Sequence, residues 1–261
     1  MEQKELIDKI TKVVMSQITE KMKVQDSHKS ENTGKYSINQ TQLAGYIDHT
    51  LLKPDAIDSQ FDQLCAEAVK YRFMSVCVNS SRVAYVTKKL RGSGIKICAV
   101  VGFPLGAMDS KSKALETRNA IENGANEIDM VINVGALKSK DLKFVEEDIR
   151  AVRRACRQTT VLKVIIETSL LTEEEKILAC EISKKADADF VKTSTGFSTA
   201  GATVEDVALM RRVVGANIGV KASGGISSYE KAVAMINAGA NRLGCGASVA
   251  VVTGVKTSEK Y

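Results

Sequence analysis

The stretch "VLKVIIETSLLTEEEKILACEISKKADADFVKT" (residues 161–193) contains two short apolar runs separated by a longer amphipathic segment. The runs VLKVIIET (161–168) and DFVKT (189–193) have the length and composition of buried strands. The segment TEEEKILACEISKKA (172–186) between them begins at a threonine, as a capped helix commonly does. A strand, a helix and a second strand in this order predict one β/α unit of a parallel sheet.

The same alternation continues through most of the chain. The other strand candidates are YIDHT (46–50), MSVCVN (74–79), IKICAVV (95–101), EIDMVIN (127–133), IGVKAS (218–223) and NRLGCG (241–246). The other amphipathic segments include DSQFDQLCAEAVKYR (58–72), KSKALETRNAIENG (111–124) and SYEKAVAMINAGA (228–240). The strands are apolar with few breaks, as in a parallel sheet that helices cover on the outside. Eight such units in about 215 residues predict a (β/α)8 TIM barrel. The alternative is a doubly wound open sheet, but the glycine-rich dinucleotide turn that it would normally show does not follow YIDHT.

The length and amino-acid composition of the chain limit the classes of protein to which it could belong. The chain has 261 residues, 44% of them hydrophobic, which is enough for one large α/β domain or two small ones. Its six cysteines form no CxxC pair, which is typical of reduced thiols in a cytoplasmic protein. No apolar stretch reaches the roughly 18 residues of a membrane span, and the charged start MEQKELIDKITKVV is unlike a secretory signal. The net charge of +6 is spread along the chain, so we expect no nucleic-acid partner and a field that suits an anionic small substrate.

Patterning divides the chain into three parts. Residues 1–40 are predicted to form an N-terminal extension, with an amphipathic helix at 2–23 and a polar linker at 25–37. This helix could pack on the main domain, pair with another subunit or bind a partner. Residues 41–255 form the predicted barrel domain, and residues 256–261 a flexible C-terminal tail.

The predicted strand ends are unusually polar. They carry Asp48 and Thr50, Cys77 and Asn79, Asp129 and Asn133, Glu167 and Thr168, Lys192 and Thr193, and Lys221 and Ser223. In a TIM barrel the active site lies where the strands end and the βα loops begin. We therefore expect the chemistry of the protein at these positions.

Lys192 in FVKTS and Lys221 in GVKAS occupy equivalent places in consecutive units. A single lysine at a strand end is commonly a surface residue, but matching places on adjacent parallel strands, about 4.8 Å apart, bring two side chains together. Burial and the neighbouring like charge both disfavour an ammonium, so we expect the two lysines to depress each other's pKa. A partly neutral amine near pH 7 is the nucleophile that a Schiff-base enzyme needs.

Other ionisable side chains support this interpretation. Lys163 shares strand parity with Glu167, which predicts an internal ion pair in preference to a direct catalytic role. Asp129 is a carboxylate inside an apolar strand, where it needs a partner. We expect a barrel lysine as that partner, and a relay of protons through a bound water. Asp48, with the hydroxyl of Thr50 beside it, is interpreted similarly.

The histidine content argues against metal catalysis. The chain has two histidines, and His28 lies in the polar linker. A zinc site built mainly from histidines cannot form from His49 alone, so no metal is predicted. His49 is interpreted as a structural hydrogen-bonding residue.

Three loops near the end of the predicted barrel are rich in glycine and hydroxyl groups. They are STGFSTAG (194–201), SGGIS (223–227) and GCGAS (244–248). TIM barrels often bind phosphate with the loops after strands 7 and 8. Glycines let backbone N–H groups surround the phosphate oxygens, although glycine also serves simply to turn a chain. Three such loops on neighbouring strands predict a phosphate-bearing substrate.

Seven motifs in this order resemble the deoxyribose-phosphate aldolases, a family of class I aldolases. They are IDHTLLKPDA, VCVN, VVGFPLG, EIDMVINVG, LKVIIET, VKTSTGF and VKASGGI, which extend from about residue 46 to about residue 250. The resemblance implies reversible cleavage of 2-deoxy-D-ribose 5-phosphate to D-glyceraldehyde 3-phosphate and acetaldehyde, in deoxyribonucleoside catabolism. It also implies that the enzyme needs neither a metal nor a cofactor, and that it assembles as a homo-oligomer, a dimer or a tetramer.

The resemblance also implies roles for individual residues. Lys192 would form the Schiff base, Lys221 would perturb the pKa of that amine, and Asp129 would serve the proton relay. The residues implied in substrate binding are Asp48, Thr50, Cys77, Thr195, Gly196, Gly224, Gly225 and Gly246. Of these, Gly196, Gly224 and Gly225 would hold the phosphate.

The chain departs from the family pattern after the eighth strand. The family usually has a serine two places after the glycine, as in RLGASAG, whereas RLGCGAS has Gly246 there and its hydroxyl at Ser248. We expect weaker phosphate affinity as a result. The N-terminal helix has no counterpart in the family's core, and the terminal Tyr261 could reach the site but is more simply interpreted as part of a disordered end.

Two other functions are compatible with parts of the pattern. One is a different lysine-dependent barrel aldolase that acts on a longer phosphosugar, which the small hydroxyl-lined pocket and the motif order disfavour. The other is a catalytically impaired barrel kept as a binding or scaffold protein, which the altered GCGAS loop alone supports. Retention of Lys192, Lys221 and Asp129 together argues against that second function.

Overall fold

The computed structural model describes residues 38–254. The helix predicted at 2–23, the linker at 25–37 and the tail at 256–261 with Tyr261 lie outside the described residues. The division into an extension, a barrel domain and a tail therefore stays a prediction. In the described part of the chain, no helix is both long enough and apolar enough to cross a membrane.

Eight parallel strands close into a barrel in sequence order, as predicted for a (β/α)8 fold. The strands are β1 (Ile47–Leu51), β2 (Ser75–Asn79), β3 (Lys96–Val101), β4 (Glu127–Val131), β5 (Val161–Ile165), β6 (Phe190–Lys192), β7 (Gly219–Ser223) and β8 (Arg242–Cys245). Each one overlaps its predicted run. The strand predictions are therefore confirmed, and the open doubly wound sheet is excluded by the pairing of β1 with β8.

Helices follow the strands and cover the outside of the barrel. Within the described residues they are α1 (Gln40–Ala44), α2 (Asp58–Tyr71), α3 (Val83–Lys89), α4 (Ser110–Glu122), α5 (Val134–Lys138), α6 (Leu142–Ala155), α7 (Glu173–Lys185), α8 (Val204–Val214), α9 (Tyr229–Asn237) and α10 (Ser248–Thr253). The four quoted amphipathic segments correspond to α2, α4, α7 and α9. Thr172 caps α7 as predicted, because its side chain accepts a hydrogen bond from the N–H of Glu175.

Helix α1 is an element that the sequence patterns do not indicate. Asn39 caps it, and the side chains of Asn39 and Gln42 bond each other's backbone N–H groups in a capping box. Leu43 and Ala44 are buried, and the helix packs against α10. Five residues are too few for a recognisable helical repeat, so the cap and the burial, not periodicity, explain this helix.

The strands separate two buried regions, the inside of the barrel and the layer between the strands and the helices. On β4, Ile128 and Met130 are fully buried and face the surrounding helices, where burial of each such side chain contributes roughly 1.5–3 kcal/mol. Glu127 and Asp129 alternate with them and face the inside of the barrel, because successive strand side chains point to opposite sides. The inside of this barrel is therefore charged, whereas the layer between strands and helices is apolar.

The loop after β3 gives a prediction about stability. Gly106 has a φ of +68°, and a Cβ atom there would lie 1.9 Å from the carbonyl oxygen of Ile132. Because neither backbone can move freely, we expect Gly106→Ala to lower the free energy of unfolding by about 3 kcal/mol or more. Gly92 is the control, since its φ of +79° is similar but no atom lies within 4 Å of its Cβ position. Urea unfolding of Gly106→Ala and Gly92→Ala separates the effect of the steric clash from that of the backbone conformation. An equal decrease in the free energy of unfolding in the two variants would contradict the prediction.

Candidate active site

A cleft of about 770 Å³ opens at the carboxyl ends of the strands. We call it the mouth cleft. The residues predicted for the site that line it are Thr50, Lys192, Thr195, Gly196, Gly224, Gly225 and Gly246. They come from the ends of β1, β6, β7 and β8 or the loops that follow, which is where the active site of a TIM barrel is expected.

The other predicted site residues lie below the mouth cleft. Asp48, Cys77, Asp129 and Lys221 have no exposed surface, and none of them is part of the cleft wall. Lys192 is 3% exposed. It lines the mouth cleft and also contacts buried Asp129 below it. Asp48 and Cys77 were expected to line the substrate pocket; they lie under the mouth cleft, and their contact with the substrate stays a prediction.

Asp129 is the centre of the buried level. Its Oδ2 accepts hydrogen bonds from Nζ of Lys192 at 2.8 Å and from Nζ of Lys221 at 2.7 Å. Its Oδ1 accepts from Nζ of Lys163 at 2.8 Å and from Sγ of Cys98 at 3.1 Å. Burial opposes ionisation, but the three lysines outweigh it and hold the pKa of Asp129 well below its ordinary value. The prediction that Asp129 pairs with barrel lysines is confirmed.

The expected depression of the lysine pKa values is wrong for Lys221. Lys192 and Lys221 are register partners on β6 and β7, as the sequence predicted. Burial lowers the pKa of Lys221, but the carboxylates of Asp129 and Asp48 outweigh it and raise the pKa above its ordinary value. Two carboxylates converge on this amine from β1 and β4, and they outweigh the burial and the neighbouring like charge on which the expectation rested. Lys221 is therefore an ammonium at physiological pH.

The predicted internal ion pair at Lys163 is confirmed, but Glu167 is not its partner. Nζ of Lys163 pairs with Glu127 at 2.6 Å and with Asp129 at 2.8 Å. Glu167 instead accepts hydrogen bonds from the backbone N–H and the hydroxyl of Thr195, at 3.2 and 2.5 Å. Strand β5 ends before Glu167, which has a left-handed φ of +57°, so strand parity does not extend to it.

Asp48 on β1 pairs with a lysine on β7 and an arginine on β8. Its Oδ2 accepts from Nζ of Lys221 at 2.5 Å. Its Oδ1 accepts from Arg242 and from the hydroxyl of Ser75, each at 2.7 Å. Arg242 also contacts Glu127 at 3.0 Å. The sequence analysis did not single out Arg242 or Glu127, although each is a charged residue at the start of an apolar strand.

The loops of the mouth cleft present backbone groups. Gly196, Gly224 and Gly225 have φ values of +86°, +87° and +78°, in the left-handed region that favours glycine. At Gly224 a Cβ atom would lie 2.9 Å from Cα of Gly201, so the two loops approach each other too closely for a side chain. Ser223, which was not among the predicted substrate-binding residues, also lines the cleft.

Ser248 does not replace the missing serine at position 246. Its hydroxyl donates to the carbonyl of Cys245 at 2.8 Å and lies 2.9 Å from Nδ1 of His49. His49 in turn contacts Glu67 of α2 through Nε2 at 2.8 Å. The prediction that His49 is a structural hydrogen-bonding residue is confirmed, and it turns the hydroxyl of Ser248 away from the mouth cleft.

One buried group has the donor atoms of a metal site. The sulfurs of Cys77 and Cys98 and a carboxylate oxygen of Asp129 lie within 4.8 Å of one another. Nζ atoms of Lys163, Lys192 and Lys221 already contact the oxygens of that carboxylate. The positive surroundings disfavour a cation there, so this group fits a thiol and lysine cluster better than a metal centre.

Comparison with known proteins agrees with this architecture. A model of the DeoC/LacD family aldolases matches residues 43–255. The deoxyribose-phosphate aldolase of Brevibacillus brevis is 62% identical over 213 residues, which cover 82% of this chain and 96% of that protein. That of Lactococcus lactis subsp. lactis is 59% identical over 220 residues, which cover 84% of this chain and 100% of that protein.

A solved structure is similar as well. The deoxyribose phosphate aldolase of Aeropyrum pernix is 33% identical, covers 82% of this chain and 91% of its own, and has a TM-score of 0.77. The resemblance stated from the seven motifs is thereby confirmed. Because the family match extends over the entire eight-stranded barrel and the relatives are this similar, the chain belongs to the DeoC/LacD family of aldolases.

Proposed function

We propose that this chain is a class I aldolase that reversibly cleaves 2-deoxy-D-ribose 5-phosphate into D-glyceraldehyde 3-phosphate and acetaldehyde. One observation carries the proposal. Of the three lysines inside the barrel, Lys192 lines the mouth cleft, while Lys163 and Lys221 are fully buried beneath it. An amine that reaches a cleft from a buried network is suited to attack a bound carbonyl. The names of the similar relatives support the substrate.

The proposed reaction begins with attack of neutral Nζ of Lys192 on C1 of the open-chain sugar. A C–N bond forms, and loss of water from the protonated carbinolamine gives the protonated imine. The C3 hydroxyl then loses a proton, the C2–C3 bond breaks, and glyceraldehyde 3-phosphate leaves while the electron pair moves into an enamine. Protonation of the enamine at C2 and hydrolysis of the imine release acetaldehyde and restore the amine. The imine is the electron sink, so the scheme requires no metal.

The buried groups fit the proton transfers of this scheme. Asp129 bonds both Lys192 and Lys221 through the same oxygen, so it can accept the proton that Nζ loses during addition and pass it on. The ammonium of Lys221 stabilises the carboxylate before and after this transfer. At the mouth cleft, Gly196, Gly224 and Gly225 offer a backbone surface for the phosphate.

Borohydride trapping tests the proposal. We expect reduction in the presence of 2-deoxyribose 5-phosphate to leave a stable adduct, and peptide mass mapping to locate it on Lys192. An adduct on Lys221 or Lys163 would keep the aldolase and overturn the assignment of the nucleophile. The absence of any adduct from folded protein at saturating substrate would support the catalytically impaired barrel instead.

The strand-8 loop gives a prediction about affinity. Gly246 lines the mouth cleft, and Ser248 cannot supply the missing hydroxyl because it bonds Cys245 and His49. A new side-chain hydrogen bond to phosphate contributes about 0.5–1.5 kcal/mol, so we expect Gly246→Ser to lower KM for 2-deoxyribose 5-phosphate about 2- to 10-fold. Gly246→Ala is the control for backbone effects, and KM for unphosphorylated 2-deoxyribose should not change. An unchanged KM for the phosphorylated sugar would contradict the prediction.

We also propose that the chain assembles as a homo-oligomer, a dimer or a tetramer, in the cytoplasm. The Aeropyrum pernix relative is described as a tetramer, which supports the assembly. The cysteines within the described residues are all free thiols, as in a reducing compartment. Light scattering on the eluting peak of a size-exclusion column gives the assembly directly, and a monomeric mass would overturn that part.

A further inference from the structure

Six charged side chains inside the barrel form a closed ring of alternating sign, which we call the charge ring. They are Asp48, Glu127, Asp129, Lys163, Lys221 and Arg242. Each of them is buried, with at most 7% of its surface exposed. They come from β1, β4, β5, β7 and β8, so no pair of adjacent strands contains the ring.

One half of the charge ring extends from β7 to β4 through β1 and β8. Lys221 bonds Asp48 at 2.5 Å, and the other oxygen of that carboxylate accepts from Arg242 at 2.7 Å. The guanidinium of Arg242 also contacts both oxygens of Glu127, at 3.0 and 3.3 Å. Arg242 thus bridges two carboxylates that lie on different strands.

The other half returns to the starting residue. Glu127 pairs with Lys163 at 2.6 Å, and Lys163 pairs with Asp129 at 2.8 Å. Asp129 pairs with Lys221 at 2.7 Å, which closes the ring. Three carboxylates alternate with three cations, so the charge ring is neutral when every member is ionised.

Lys192 is a seventh charged group, attached to the ring from outside. Its ion pair within the described residues is with Asp129, whose negative charge the ring already balances. A protonated Lys192 gives the barrel interior a net charge of +1, and a neutral Lys192 gives a net charge of zero. The ring therefore offers no unbalanced negative charge to a charged Lys192, and a buried uncompensated charge is costly.

The directions of three pKa shifts agree with charged Asp48, Lys163 and Arg242 in the ring. For Asp48, burial favours the neutral form, but Lys221, Lys163 and Arg242 outweigh it and lower the pKa. For Lys163 and Arg242, burial is likewise outweighed by the surrounding carboxylates, and both pKa values are raised. All these groups therefore keep their charges through the pH range in which an aldolase works.

Other titratable groups also face this region. The thiols of Cys77 on β2 and Cys98 on β3 lie beside Asp129, with the pKa of Cys77 lowered chiefly by its hydrogen bond to Cys98 and that of Cys98 raised chiefly by burial. Lys53 lines the mouth cleft, and Glu167 accepts from Thr195 at the end of β5. None of these groups belongs to the charge ring. Substitutions of Arg242 and Glu127 therefore change the net charge of the ring and leave these groups in place.

We propose that Arg242 and Glu127 are positioning residues that set the protonation of the nucleophile Lys192 through the charge balance of the ring, without touching the substrate. The proposal rests on the proposed function, because it takes Lys192 as the amine that must be neutral. Removing Arg242 leaves three carboxylates and two cations, so Lys192 becomes the third cation and holds its proton more tightly. Removing the charge of Glu127 leaves three cations and two carboxylates, and Lys192 loses its proton more readily.

The test is the sign of the shift in two variants. We expect Arg242→Met to move the acidic limb of kcat/KM against pH upward by about 1–2 pH units, and Glu127→Gln to move it downward by about 1 unit. The double variant restores neutrality and should return the limb close to its original position. Competitive acetylation of Lys192 by acetic anhydride across the same pH range, located by mass mapping, gives a readout that does not depend on turnover.

Controls separate charge balance from damage to the fold. Lys176→Met and Asp206→Asn each remove one charge of an ion pair between α7 and α8, outside the barrel, and should leave the limb in place. Limbs that move in the same direction in Arg242→Met and Glu127→Gln, or that do not move, would overturn the proposal. If Arg242→Met does not fold, the direction in which the acidic limb moves in Glu127→Gln tests the proposal by itself. The absence of any borohydride-trapped adduct from the unaltered protein would instead defeat the proposed function, so the two failures are distinguishable.

Discussion

Lys192→Met is expected to lower kcat for cleavage of 2-deoxyribose 5-phosphate by about 10,000-fold or more and to abolish borohydride trapping. Methionine approximates the length of the side chain but has no amine, so the imine cannot form. Lys163 and Lys221 cannot substitute, because both are fully buried below the mouth cleft and paired with carboxylates. Steady-state cleavage rates combined with peptide mapping of reduced samples give both quantities in one preparation.

The same variant should keep its stability, because the charge ring is neutral without Lys192. We expect the free energy of unfolding to change by no more than about 1 kcal/mol, since Asp129 keeps Lys163 and Lys221 as partners and no buried charge is left unpaired. Lys113→Met is the matched control. Lys113 is also fully buried and pairs with Asp148 at 2.5 Å, but on the outside of β4. Its loss should destabilise the protein while the folded fraction still traps substrate at Lys192. Residual cleavage in Lys192→Met with an adduct on another lysine would contradict the assignment.

The fold is predictable from the sequence because each strand is a short apolar run between capped amphipathic segments. That pattern places Lys192 and Lys221 at matching positions without any structural information, and the register confirms it. Periodicity fails only where an element is too short to repeat, as in α1 (Gln40–Ala44), or where the strand has already ended, as at Glu167.

The electrostatics of the site are less predictable, because they depend on residues that meet across the barrel. Arg242 on β8 and Glu127 on β4 are separated by several strands in the sheet, and yet their side chains are in contact. Reasoning from adjacent strands finds the two lysines, and the sequence predicts Asp129 as a partner, but neither predicts that Asp48 also pairs with Lys221. The pKa of Lys221 therefore moves in the direction opposite to the one expected from its lysine neighbour alone.

Asp129→Asn is expected to damage both catalysis and stability, since Asp129 is the residue shared by the charge ring and Lys192. An amide has one acceptor oxygen where the carboxylate serves Lys163, Lys192 and Lys221, and its NH2 group would face an ammonium. We expect kcat to fall by about 1,000-fold. We also expect the free energy of unfolding at pH 7 to fall by about 3–5 kcal/mol, because buried cations lose their partner.

The pH dependence of that stability loss follows from the direction of the pKa shift. The pKa of Asp129 is lowered in the folded protein, so its ionisation contributes stability that is fully present above the unfolded value of about 3.9. This contribution is lost as the pH falls toward the folded value. Urea unfolding should therefore show a constant difference between Asp129→Asn and the unaltered protein from pH 7 to about pH 5, and a smaller difference at about pH 3.

Asp148→Asn distinguishes the catalytic effect of Asp129→Asn from its effect on folding. Asp148 is equally buried and also pairs with a buried lysine, Lys113, but it lies on α6 outside the barrel. We expect a comparable loss of stability with kcat per folded molecule within about threefold of the unaltered enzyme. A similar fall in kcat in both variants would mean that Asp129 acts through the fold alone. A fall confined to Asp129→Asn would place its carboxylate in the proton transfers at Lys192.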